Sequence, residues 1–108
     1  MTLTDFLLAR IAEDEAAAGE SLRATRREAV SLRPTDGQAT TSALSYMEFI
    51  VRWPPARVLA ECEAKRRVIE ECDDYDNPSE VLILADQILR HLALPYADHP
   101  DYREEWRP

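Results

Sequence analysis

Glycine is almost missing from this chain: there are two in 108 residues, Gly19 and Gly37. So few residues free to take left-handed backbone exclude glycine-rich phosphate loops and dinucleotide fingerprints. Helix is favoured in most windows instead, because Ala, Leu, Glu and Arg dominate. Long hydrophobic runs are also lacking, and no stretch approaches the ~18 apolar residues of a membrane span. The opening MTLTDFLLARIAEDE has an interrupted apolar run with acids straight after it, so it does not read as a signal peptide. Positive charge is outweighed, at a formal net charge of −8, which argues against direct nucleic-acid binding, where phosphates must be neutralised. The two cysteines, Cys62 and Cys72, fit reduced thiols, and a cytoplasmic location is expected. No nucleophile elbow and no His-Glu-x-x-His motif occurs.

What is present is a chain of single-domain length that is 45% hydrophobic, enough for a core without metal or disulfide staples. A first helix is expected over residues 1–28, capped by Thr2–Asp5 or Thr4, with Leu3, Phe6, Leu7, Ile11 and Ala18 as its apolar stripe and Leu22 as a weak continuation. Gly19 leaves open one frayed helix or two pieces. Residues 29–41, rich in Pro, Asp-Gly, Ser and Thr, read as a loop. Residues 42–53 are expected to form a largely buried short helix, although Phe49–Trp53 also fits a strand. Pro54–Pro55 ends it and starts the next helix, 55–72, with Val58, Leu59, Cys62, Ile69 and Cys72 at helical spacing. After a turn, with Asn77 as cap and Pro78 as first helical residue, a helix is expected over 78–94. It carries Val81, Leu84, Ala85, Ile88 and Leu92 on one side. The fold class is therefore all-α: a small bundle built on an antiparallel hairpin of helices 55–72 and 78–94. The first and short helices are expected to cover its apolar face.

Chemistry-bearing residues are few. Cys62, Cys72, His91 and His99 match a Cys2His2 count, but zinc ligands pair about two to five residues apart and these do not. On one helix the two cysteines would lie ~15 Å apart. A Cys62–His91 nucleophile and base is conceivable, yet no oxyanion donor or third group can be named for it. EECDDYD lacks the ligand spacing and glycine of a calcium loop and reads as a solvated turn. RATRRE and AKRR are basic clusters, the second interleaved with glutamates and so read as a solvated face. No catalytic residue, metal ligand or cofactor is assigned.

The last fourteen residues, 95–108, differ from everything before them. In PYADHPDYREEWRP, Asp98 and Asp101 are spaced like a capping box, while Tyr102 and Trp106 fall at i,i+4. Two readings follow: the segment folds back and lids the bundle, burying Trp106, or it docks a partner, since Tyr, Trp and Arg are enriched at binding hot spots. The candidate interaction surface is Tyr96, Asp98, His99, Asp101, Tyr102, Arg103 and Trp106.

LRHLALPYADHPDYREEWRP, with PARVLAECEAKRR and FLLARIAEDEAAA, resembles an uncharacterised family of short proteins from Streptomyces, other actinobacteria and their phages. The resemblance covers the first nineteen residues and everything from Pro55 on, and it carries no established activity. It implies a phage or mobile-element setting. Members often carry a Pro-Gly-Pro-Trp-like segment and a longer region after the first helix, where residues 19–54 stand here. The expected function is non-enzymatic, through a protein partner for which a second copy of the chain is one candidate. The alternatives are an acidic decoy for a nucleic-acid-binding protein, and a small metal-binding or Cys/His-dependent enzyme.

Overall fold

The computed structural model describes residues 1–28, 41–73 and 79–108. Among them the chain is all-α: helices α1 (Leu3–Glu28), α2 (Thr41–Arg52), α3 (Pro55–Asp73) and α4 (Ser79–Ala93), then 3₁₀ turns at Leu94–Tyr96 and Glu104–Trp106. Residues 29–40 of the expected loop 29–41, and residues 74–76 of the acidic turn with the Asn77–Pro78 cap, lie outside the described residues, while Thr41 already belongs to α2.

Capping starts α1. Asp5 N–H donates to Thr2 Oγ1 at 3.1 Å and Thr2 N–H donates to Asp5 Oδ2 at 3.2 Å, so two helix-end donors are satisfied reciprocally. These bonds to Thr2 hold the Asp5 carboxyl below its ordinary range. The helix then runs unbroken through Gly19, resolving the choice between one helix and two. A Cβ at that position would meet only Arg23 Nη1, at an ordinary 3.6 Å. Leu3, Phe6, Leu7, Ile11 and Ala18 are all buried, on the face the spacing indicates.

Packing is centred on α1 against α3, where Cys62 and Ile69 are buried. Glu15 accepts from Arg66 Nε across this seam at 2.5 Å, while Glu61 and Glu63 pair with Arg57 and Arg67 on the outside of α3. Val68 and Cys72 share a groove with Val81, Leu84, Ala85 and Ile88, and Lys65 Nζ reaches Tyr96 Oη beyond the end of α4. So α4 runs back alongside α3. Its buried residues are Ala85, Leu89 and Ala93, spaced by four. Of the expected side, Ala85 is buried and Leu92 packs half-buried against the core, whereas Leu84 and Ile88 are exposed. The alanines let the backbone approach closely, and the apolar face of α4 is broad, with Asp86, Gln87, Arg90 and His91 opposite it, so the inward stripe lies along one edge of that face.

The larger correction concerns α2. The sequence leads one to expect a buried helix that helps cover the bundle; instead Leu44, Tyr46, Met47, Phe49, Ile50, Val51 and Trp53 are all exposed, from 40% at Trp53 to 75% at Val51. Its links to the rest are confined to its C-terminal end. Ile50 and Trp53 border Ala17, Ala18 and Ser21 of α1 with Val58 of α3. At the joint, Pro54 C=O accepts from Arg57 N–H at 2.9 Å. The Arg57 guanidinium lies 3.9 Å over the Trp53 ring and donates to Arg52 C=O at 3.0 Å. The result is elongated, 61 × 25 × 21 Å with a radius of gyration of 18.3 Å, against ~13 Å for a compact domain of about this length.

Candidate functional site

Two places depart from a plain helical packing: the cluster where the tail meets α1, and the bare face of α2. In the first, Phe6 is the centre. Its ring lies 5.1 Å from Trp106, 5.7 Å from His99, 5.9 Å from Tyr102 and 6.5 Å from Tyr96, mostly edge to face. These orientations set ring edges against π faces, which adds to simple burial. Leu3, Leu7, Ile11, Leu89 and Ala93 close the cluster, with Trp106 buried in it. Arg90 Nη1 donates to the Glu105 carbonyl and fastens the tail to α4.

A cation is buried in the same place. Arg10, one turn beyond Phe6, has 8% of its side chain exposed. Its guanidinium stacks 5.2 Å from the Phe6 ring. Arg10 Nη1 lies 2.7 Å from His99 Nδ1 and also meets Nε2 of that ring, while Nη2 donates to Glu13 at 3.0 Å. Asp101 stands 3.8 Å away, and its backbone N–H donates to His99 Nδ1. Such partners are what make a buried charge tolerable. Arg10 Nε and Tyr102 Oη are buried with no hydrogen-bond partner among the described residues. Beside this hub, Tyr96 donates to Asp14 Oδ2 at 2.5 Å. Burial and the Asp14 carboxylate together drive the phenol well above its usual range.

The candidate tail residues therefore divide. Tyr96, His99, Tyr102 and Trp106 are gathered round Phe6, while Asp98, Asp101 and Arg103 stay exposed. The box-like role expected of Asp98 and Asp101 is filled instead by the Asp101 N–H to His99 bond. Arg10 was missed from the sequence. Its signal was position: i,i+4 from Phe6 and beside Ile11, on the apolar stripe itself.

The Cys/His reading finds no centre. Cys62 is sealed in the core, where burial and the nearby Asp14 and Glu15 raise its thiol above the ordinary range; His91 is exposed on α4. Burial, with Asp73 and Glu71 beside it, likewise raises Cys72. Among the described residues no cluster of three His, Cys, Asp or Glu side chains could hold a metal ion. Among the described residues several acids are paired with arginines, as in Glu20–Arg23, Asp86–Arg90 and Glu104–Arg107. Among the described residues no helix is long and apolar enough to cross a membrane.

The second place is α2 itself. A helix of 12 residues is marginal in water on propensity alone, and Ile50, Val51, Tyr46 and Phe49 are not strong helix formers. Its six large apolar side chains, with Trp53 just past its end, expose about 800 Å² together, taking roughly 200 Å² for each when bare. That exceeds the ~300–600 Å² of the largest patch on an ordinary monomer.

No curated protein and no solved structure matches the chain. A family model does: over residues 1–108 the chain belongs to a family of unknown function, DUF6221.

Proposed function

We propose that the chain is a non-enzymatic accessory protein that acts in the cytoplasm through contacts with protein, and that α2 is its principal contact surface. The carrying observation is the exposure of every large apolar side chain described on that helix. Apolar area of this size is driven out of water by association, and an amphipathic helix laid in a groove is a recurrent mode of doing so. The tail ranks second, because its rings are spent on Phe6 and only its charged rim, Asp98, Asp101 and Arg103, faces outward. The two free thiols suit a reducing compartment.

The test is a photo-crosslinking residue placed at Tyr46 in the full chain, irradiated in cells that make it. The expected result is a discrete protein adduct that disappears when Phe49→Glu is added. An absence of any adduct above the unirradiated background would overturn the reading.

A further inference from the structure

The chain carries a second uncovered apolar surface. Val68 and Cys72 of α3 and Val81, Leu84, Ala85 and Ile88 of α4, with Glu71 as the one charged member, line an open groove of about 430 Å³. Leu82, next to Ala85 round the helix, adds apolar surface and is more than half exposed. An exposed apolar helix and an unfilled apolar groove on one chain are complementary in chemistry, and the question is whether they can meet.

Within one copy they are held apart. The chain leaves α2 at the N-terminus of α3, whereas the groove lies at Val68–Cys72, about 20 Å further along the α3 axis at 1.5 Å per residue. The Arg57 bracket on Trp53 and the Arg52 carbonyl, with Pro54 between the helices and Pro55 opening α3, holds the joint. The helix does not fold back along α3.

We propose that α2 docks in the α3–α4 groove of a second copy, reciprocally, in a two-fold dimer; this rests on the protein-contact reading above and names its partner. The helix and the groove lie towards opposite ends of an elongated molecule, so two copies side by side and antiparallel bring each helix onto the other's groove at once. The symmetry closes the assembly, whereas a single head-to-tail contact would propagate into an open chain. Each α2 supplies about 800 Å², the share per partner of a standard stable interface, and the two grooves add to it. One arrangement thus covers both bare surfaces.

Size exclusion with light scattering on the full chain at about 100 μM, a concentration that fills even a weak micromolar dimer, tests this. The expected mass is twice 12.4 kDa. Phe49→Glu on the helix and Leu84→Glu in the groove, both at exposed positions, are each expected to halve it. Thermal melts of each variant check the fold, and Val51→Asp and Ile88→Glu replace any variant whose monomer is destabilised. Mixing the helix variant with the groove variant leaves one helix–groove pair intact. The mixture is expected to recover a dimer at least tenfold weaker than the parent's. A monomeric full chain would overturn the proposal, as would a dimer lost with Phe49→Glu but kept with Leu84→Glu, which signals α2 pairing with α2. The crosslinked adduct separates the two levels: one with a different protein keeps the contact reading and sinks the second copy, and no adduct sinks both.

Discussion

Phe6 occupies the one position on α1 from which a side chain meets Tyr96, His99, Tyr102 and Trp106 together, so its removal leaves a cavity walled by rings that cannot collapse independently. Phe6→Ala and Trp106→Ala are each expected to lower unfolding free energy by about 3–5 kcal/mol in urea titrations. Because the two rings touch, the double substitution should cost less than the sum. Tyr96 offers a pH test. Its folded phenol titrates above the unfolded value, so its contribution is complete below about pH 10 and is lost as pH rises beyond, since only the unfolded chain ionises readily there. Melting temperature should fall on alkalinisation above pH 10, and Tyr96→Phe should flatten that fall. At neutral pH the same variant is expected to cost about 1–2 kcal/mol for the lost bond to Asp14.

At the scale of elements, α1 is a continuous strut and the tail is its lid. Gly19 sits within the helix with room for a methyl group, so Gly19→Ala should raise stability by about 0.5–1 kcal/mol through backbone entropy, read as a higher melting temperature. A chain cut after Leu94 loses Tyr96, Tyr102 and Trp106 and bares Phe6 and Arg10. It should lose most of the ~5–15 kcal/mol a small domain has to spend, seen as a broad melt far below that of the full chain. A cut chain that melts within a few degrees of the parent would place the stability in α1, α3 and α4 alone. Helix α2 belongs to the opposite class of element: among the described residues only its Ile50 end borders the bundle, so substitutions on the rest of its face should move association and leave the melt of the bundle nearly unchanged.

The whole molecule is long because α1, at about 39 Å, outruns the helices it packs on and because α2 lies off the bundle. Shape gives the association proposal a second reading in solution. X-ray scattering of the dimer should show a longest dimension near the 61 Å of one copy, since antiparallel pairing lays the chains side by side; a dimension approaching twice that would indicate an end-to-end contact instead.

Local chemistry was enough to locate the elements. The i,i+3,i+4 apolar spacing marked the α1 stripe from Leu3 to Ala18, Thr2 and Asp5 marked its start, and Pro54–Pro55 marked the break between α2 and α3, because capping and proline geometry act within a few residues. Which apolar surface meets which was decided only in three dimensions. The α2 helix has the same amphipathic pattern whether its face meets a core or is left bare. Helix α4, with a broad apolar face, turned the edge of it that carries Ala85, Leu89 and Ala93 inward because small residues admit close approach. Arg10 became a buried cation only when His99 and Asp101, some ninety residues away in the chain, closed over it. By itself the sequence determined helix, caps and breaks; the tertiary structure decided the buried charge, the inward stripe and the uncovered helix, because burial depends on contacts between residues that no local pattern encodes.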